Sequence, residues 1–335
     1  MSHRVGKRTI RFDNHVSIVS SAGVAGSKES SGPLADYFDE VYSDDLLGEK
    51  SWEKAESRLQ KNAACAAMDK AGLSAGNIDV VFAGDLLNQC ISSVFGLYSL
   101  GIPFVGQYGA CSTMAQSIIM SALLTDSGAA NYSLAVTSSH FCSAERQFRL
   151  PIEYGGQRNL TAQWTVTGAG AAIIAASDNP CRIEDAVIGK IIDMKIKDAN
   201  NMGAAMAPAA ADTILSFFED TSTKPEDYDL ILTGDLGFLG SELLVSLCKN
   251  EGVDISRQHN DCGMLIFDRE KQDVHAGGSG CGCCASVFCS RIMQQLKSGE
   301  LNNILFAATG ALMSPTSSQQ GESIPGISHL IHIRR

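Results

Sequence analysis

Cys111 is the residue whose setting most invites chemistry. It lies in the turn Gly109-Ala110-Cys111-Ser112-Thr113, between an extended stretch, Ile102-Pro103-Phe104-Val105, and a helix-like run from Met114 to Leu124 rich in Ala, Ile, Met and Leu. A thiol at such a bend sits at the positive end of a helix, where its thiolate is favoured. A thiolate paired with a base is a nucleophile for covalent catalysis. His140, which follows the strand-like run Leu134–Thr137, is the candidate base. Two other readings stand beside a Cys111–His140 dyad: a buried small residue that merely fits the elbow, and a thiol that lines a ligand pocket without reacting.

Two further motifs suggest chemistry and read better as structure. Cys281-Gly282-Cys283-Cys284-Ala285-Ser286-Val287-Phe288-Cys289 lacks a second paired Cys element and a suitably placed His, so no metal site is expected there. Gly168-Ala169-Gly170 lacks the third glycine and the downstream acid of a dinucleotide fingerprint, and reads as close packing. The tail holding His329 and His332 alternates like a strand.

The elements that must position these residues form a repeat. Ile78-Asp79-Val80-Val81-Phe82-Ala83-Gly84-Asp85-Leu86 resembles Tyr228-Asp229-Leu230-Ile231-Leu232-Thr233-Gly234-Asp235-Leu236, 150 positions later. Each is a strand-like run that follows an apolar helix (Glu56–Lys70; Ala207–Phe218) and a polar turn. Ser127–Thr137 and Ser298–Ala308 form a second matching pair, each a helix end, a Gly stop and a strand. Alternating strands and helices imply parallel pairing with helices on both faces. The carboxyl ends of such strands form clefts, and Asp85, Cys111, His140, Asp235 and the Gly277–Cys284 loop all fall at them.

The expected organisation has three parts: residues 1–50 as an extension packed on the body, 51–177 as the first half and 178–335 as the second. The polar, aromatic segment 139–164 reads as a lid, a dimer contact, or both.

Composition narrows the function classes. The 335-residue chain is 44% hydrophobic and 19% charged, which suits a large α/β core. With 26 basic and 37 acidic residues its net charge is −11, and no basic cluster points to nucleic acid. The same balance disfavours direct docking on anionic lipid. Met1–Arg11 is basic, but no apolar run follows it as in a signal peptide, and the longest apolar stretches are too short to span a bilayer. The eleven cysteines read as thiols in a reducing compartment.

The duplication, the Gly-Ala-Cys-Ser-Thr elbow, the strand Thr167-Gly168-Ala169-Gly170-Ala171 and the small-residue turn Gly280–Val287 resemble the thiolase-like superfamily, which includes the condensing ketoacyl synthases. The resemblance covers roughly residues 50–335. It implies an α/β fold of two halves related by a pseudo-two-fold, forming a layered αβαβα body. Longer runs are similar to a sporulation-protein family of spore-forming Firmicutes within it. They include Ser31–Phe38, Ala83–Gln89, Ser138–Phe141, Ala144–Arg149, Ala162–Gly168 and Ala311–Gln320.

That likeness implies a peripheral protein on the cytoplasmic face of the spore inner membrane. Such a protein binds dipicolinic acid (pyridine-2,6-dicarboxylate), with or without calcium, and supports its uptake together with integral-membrane partners. It implies a homodimer and no cofactor. In condensing relatives the cysteine works with a His and an Asn from the second half; here those positions fall near Asp235-Leu236-Gly237 and Cys281-Gly282. Losing both argues against condensation, because those side chains stabilise the developing oxyanion and handle protons; a carboxylate near the thiol would moreover raise its pKa.

A planar aromatic dianion calls for Arg or amide donors and an aromatic slot. Arg146, Arg149, Arg158 and Trp164 are the candidates, with Cys111, His140, Asn88 and Asp235; Asp85, Asn88 and Asp235 would serve if calcium accompanies the ligand. Ion pairing at an interface for the arginines, a core position for Trp164 and turn capping for the aspartates are the structural alternatives. Three functions remain: a non-catalytic ligand-binding protein, a condensing or acyl-transfer enzyme using Cys111, and a scaffold for membrane partners with a vestigial cleft.

Overall fold

The computed structural model describes residues 2–148 and 158–335. The first half supplies β1 (His3–Val5), β2 (Thr9–Arg11), β3 (Val16–Ala25), β4 (Glu40–Val41), α1 (Trp52–Ala71), β5 (Val80–Gly84), α2 (Ile91–Leu97), β6 (Phe104–Gly106), α3 (Thr113–Asp126), β7 (Tyr132–Ser139), α4 (Phe141–Phe148), β8 (Trp164–Thr165) and β9 (Gly168–Ala176). The second supplies β10 (Arg182–Val187), α5 (Met202–Thr221), β11 (Leu230–Thr233), α6 (Gly237–Asn250), β12 (His259–Asp261), α7 (Cys262–Leu265), β13 (Gly278–Ser279), α8 (Cys281–Val287), α9 (Met293–Ser298), β14 (Asn303–Ala311), α10 (Pro315–Gln319) and β15 (Gly326–Arg334).

The main strand order is β12-β11-β14-β15-β10-β3-β9-β7-β5-β6. Read from either end it is the same pattern, so the internal repeat is a structural pseudo-two-fold between β3 and β10. Side-chain detail repeats too. Asp79 Oδ2 accepts the Asn131 and Tyr132 amides at 2.7 and 3.1 Å, and Asp229 Oδ2 accepts those of Asn302 and Asn303 at 2.7 and 3.0 Å.

Two sequence expectations are corrected. Parallel pairing holds for β6-β5-β7 and β12-β11-β14, but β3, β7, β9, β10, β14 and β15 pair antiparallel toward the centre. Residues 1–50 are not merely an extension packed on the body: β3, buried along nearly its whole length, is a central strand between β9 and β10. Its run Val16-Ser17-Ile18-Val19-Ser20-Ser21-Ala22 lacks strong alternation because both faces of the strand are covered.

Small residues let the middle helices approach closely. α3 contacts strands of both halves, α8 packs on β3, β7 and β9, and the two helices touch. A Cβ on Gly170 would stand 2.2 Å from the Ala285 carbonyl, and one on Gly282 2.4 Å from that of Gly168. α1 covers the outer face of the first half and α5 that of the second. α1 starts on an N-cap, Ser51, whose side chain accepts from the Lys54 amide, and stops at left-handed Gly72. No described helix is long and apolar enough to cross a membrane.

Candidate functional site

The elbow is built from the sheet edge inward. β6 ends at Gly106, and the chain turns through Ala110, a non-glycine residue at φ 50°. A side chain in that region costs on the order of 1 kcal/mol and persists only when its surroundings hold it. Here Ser112 Oγ donates to the Gly109 carbonyl at 2.6 Å, Thr113 Oγ1 donates to the Ala110 carbonyl at 2.6 Å, and the Gly109 amide donates to Thr113 Oγ1 at 3.0 Å. From the other half, Gly310 presses on the turn so closely that a Cβ there would lie 2.3 Å from the Gly109 carbonyl.

Cys111 is 5% exposed and its thiol is held in the protonated state. Burial first, and then the charge and hydrogen bond of Asp235, push it well above its ordinary value. The helix terminus that favours a thiolate is outweighed, because a buried carboxylate lies on the sulfur. Asp235 itself is pushed up to about 6 by burial, against the donors it accepts. Those are Thr309 Oγ1 at 2.9 Å on Oδ1, and Ser279 Oγ at 3.2 Å and the Gly280 amide at 2.9 Å on Oδ2, besides the thiol. Gln163 Nε2 ties the turns together, donating to the carbonyls of Asp235 (2.6 Å) and Gly278 (2.8 Å). The arrangement favours the neutral S–H over the thiolate.

His140 does not complete a dyad. Its Nε2 meets the Asp45 carbonyl at 2.7 Å, and its Nδ1 accepts the Cys142 amide at 3.2 Å. Both nitrogens are committed to backbone, which fixes the Nε2–H tautomer, and burial pushes the ring's pKa down. The base expectation is therefore corrected: the imidazole anchors the start of α4.

The other predicted residues fall in different places. Arg146 pairs with Glu53 and lies 5.1 Å over the Trp52 ring. Arg158 donates to the Gln163 carbonyl and lies 4.8 Å over Trp164. Trp164 stacks on Phe141 at 3.8 Å and carries Lys28 Nζ 3.6 Å from its centroid. Its strand neighbour Thr165 lines the cavity above Cys111, so alternation turns the indole to the opposite face. Arg149 lies outside the described residues. Asp85 is a turn acceptor, taking the Leu87 amide on Oδ1 and the Ser93 amide and hydroxyl on Oδ2. Burial raises its pKa and, with Asp85's charge, that of Glu56, which accepts from Ser138 and Ser143 behind the site. Among the described residues no group of three or more His, Cys, Asp or Glu side chains is arranged for a metal ion.

Above Cys111 lies a cavity of about 40 Å³, lined by Leu86, Tyr108, Ala110, Ala144, Glu145, Phe148, Thr165, Met202, Ser279, Ala311 and Met313. That volume suits a water molecule, not a drug-sized ligand. Tyr108, Phe148 and Met313 also line an outer space of about 370 Å³ with Leu87, Asn88, Gln89, Leu312, Ser314 and Ser317. The structure thus groups Cys111 with Asp235, sets Asn88 at the rim, and places Arg146, Arg158, Trp164 and His140 elsewhere. Sequence reasoning missed Tyr108 and Met313; the one available signal for Tyr108 is its position immediately before the elbow.

Comparison with known proteins follows this geometry. The solved structures of 3-oxoacyl-[acyl-carrier-protein] synthase III from Aquifex aeolicus VF5 (12% identity, 96% of this chain, 100% of that chain, TM-score 0.58) and cerulenin-bound OleA from Xanthomonas campestris (15%, 97% and 98%, 0.62) share the fold. The body is therefore thiolase-like. The family described as Stage V sporulation protein AD matches residues 6–334. A Bacillus subtilis (strain 168) protein, "Stage V sporulation protein AD", is 46% identical over 330 residues, covering 98% of this chain and 97% of that protein. With the duplicated thiolase-like body and the Cys111 elbow in view, this chain belongs to the Stage V sporulation protein AD family.

Proposed function

We propose that this protein is a non-catalytic binder of dipicolinic acid that supports uptake of the compound into the developing spore. The observation that carries the non-catalytic part is the Asp235 carboxylate on the Cys111 thiol, which stabilises the unreactive form. Family membership supports the sporulation role. In this reading the chain works as a peripheral protein on the cytoplasmic face of the forespore inner membrane, with integral-membrane partners, as a homodimer, and with calcium as a companion of the ligand or without it. Calorimetric titration with dipicolinate, with and without calcium, tests it. Saturable heat in either condition is expected; none at millimolar ligand would sink the proposal.

A second reading, acyl transfer through Cys111, draws on the strained elbow and the cavity above the thiol. Incubation with an acyl-CoA followed by intact mass measurement separates the two, since a stable adduct on Cys111 would favour the enzyme. A scaffold with a vestigial cleft would show neither heat nor adduct.

A further inference from the structure

Two carboxylates that the elbow does not use are shut from solvent behind it. Glu56, on α1, is 1% exposed, and Asp85, in the turn after β5, is 0% exposed. A chain of contacts joins them. Asp85 Oδ2 lies 2.6 Å from Ser93 Oγ, Ser93 Oγ 3.0 Å from Gln60 Nε2, Gln60 Nε2 3.2 Å from Ser138 Oγ, and Ser138 Oγ 3.2 Å from Glu56 Oε1. The titratable and charged groups that face the pair are Glu53 and Arg146, which pair with each other, His140, whose nitrogens are spent on backbone, and Cys90, Tyr108 and Cys281. Among the described residues, no cation donates to either carboxylate.

Counting protons separates the two acids. Asp85 is an acceptor only: Oδ1 takes the Leu87 amide at 2.9 Å, and Oδ2 takes the Ser93 amide at 2.8 Å besides the Ser93 hydroxyl. An ionised carboxylate is satisfied in this way. Glu56 is short of a proton. Ser143 Oγ lies 2.7 Å from Glu56 Oε2 and 3.1 Å from the His140 carbonyl, and one hydroxyl proton serves only one of these acceptors. A proton on Oε2 resolves the shortage: Glu56 then donates to Ser143, and Ser143 donates to His140. Gln60, one turn along α1, adds a buried carbonyl oxygen with no partner among the described residues, a further acceptor and not a donor. Burial raises both carboxyls above their ordinary values, and the Asp85 charge raises Glu56 further.

We propose that the proton on Glu56 latches α4 against α1 and the Asp85 turn, and that its loss as pH rises releases both the helix and the turn. Ser143 stands in the first turn of α4. Gln147 clasps the same helix to the turn, its Oε1 accepting the Asn88 amide and its Nε2 donating to the Leu86 carbonyl, both at 3.1 Å. When the Glu56 proton passes to solvent, the donation to Ser143 is lost and two like charges share a closed interior. Opening α4 and residues 85–93 to water relieves that repulsion. A carboxyl that holds its proton more tightly folded than unfolded stabilises the fold at low pH, and the contribution is lost as pH rises through its folded value. The latch is therefore shut in acid and released in base. It needs no ligand and stands apart from the dipicolinate reading.

The test is hydrogen exchange of the full chain at pH 6 and pH 9, read by mass spectrometry and corrected for the intrinsic rate, with α5 as the internal reference. Protection of α4 and of residues 85–93, relative to α5, is expected to fall by roughly tenfold or more between the two conditions, the effect of one pKa unit. Glu56→Gln, whose carboxamide donates to Ser143 as the protonated acid does, should keep protection at pH 9 within roughly twofold of that at pH 6. Ser143→Ala removes the acceptor of the latch and should lower protection of α4 already at pH 6, which keeps a test in hand if Glu56→Gln does not fold. Infrared difference spectra between the two pH values should show a protonated-carboxyl band that is lost in base and is weaker in Glu56→Gln. Relative protection that is the same at both pH values in the unmodified chain would overturn the proposal. So would an equal fall in Glu56→Gln, or an infrared band that this variant leaves unchanged.

Discussion

Asp235, after β11 of the second half, accepts the Cys111 thiol of the first half, so the residue that suppresses the thiol comes from the opposite side of the pseudo-two-fold. Removing that charge should release part of the suppression. Asp235→Asn is expected to raise the rate of Cys111 alkylation by iodoacetamide at pH 8 by roughly tenfold, the effect of about one pKa unit. Burial, the larger cause, remains, so the thiol stays less reactive than a free cysteine. An unchanged rate, read by peptide mapping, would show that Asp235 is not the restraint.

Glu29 predicts the pH dependence of stability. It is fully buried, Oε1 accepts the Thr167 amide at 3.0 Å, and burial pushes its pKa up to about 8. A carboxyl raised above its unfolded value binds its proton more tightly when folded, so its contribution is present at low pH and is lost as pH rises from about 4.5 through 8. Asp235, raised to about 6, acts in the same direction at lower pH. His259 and His329, both lowered to about 4 by burial, act oppositely, losing stability as pH falls below 6.5. Melting temperature should therefore fall between pH 6.5 and 8.5, and Glu29→Gln should flatten that slope, by up to roughly 4 kcal/mol at pH 8. A variant with the same slope as the unmodified protein would exclude Glu29 as its source.

Gly310 should tolerate no side chain. A Cβ there, on β14, would meet the Gly109 carbonyl at 2.3 Å, a backbone group of a buried turn that cannot swing aside. Gly310→Ala is expected to destabilise by about 1–3 kcal/mol through overpacking, seen in urea unfolding as a lower midpoint with an unchanged slope. Gly72→Ala, where nothing lies within 4 Å, is the control; it should cost about 1 kcal/mol because φ is 67° there.

The proposed homodimer has a natural seam at β6. This strand ends the sheet, and Phe104 and Val105 on it are 39% and 42% exposed, beside Phe95 and Tyr98 at 61% and 73%. An open apolar edge of this kind pairs with another chain unless it is covered. Sedimentation should give a particle of twice 35.5 kDa for the unmodified chain and a monomer for Val105→Lys. A monomer from both would remove the dimer from the proposal.

Part of this was legible in the sequence. The two Gly-Asp-Leu runs exposed the repeat, because strand composition and polar turns are local properties that survive duplication. The elbow at Cys111 and the absence of His and Asn at the partner positions are likewise local and can be read from residue types alone. The place of β3 was not legible. A strand at residues 16–25 is visible as a run of Val, Ile and Ser, but its antiparallel partner, β9, begins 143 positions later than Ala25, and nothing local specifies such a pairing.

The site followed the same division. By itself the sequence determined that a thiol stands at a strand-to-helix turn and that an aspartate, Asp85 or Asp235, follows the matching strand of each half. Tertiary structure alone decided that Asp235 is dehydrated against that thiol, that His140 spends both nitrogens on backbone, and that Trp164 faces away from the cavity its neighbour lines. The reason is physical. Residue type and spacing fix which groups exist and which face of an element they occupy, whereas protonation and hydrogen-bond partners depend on burial and on atoms brought from remote parts of the chain.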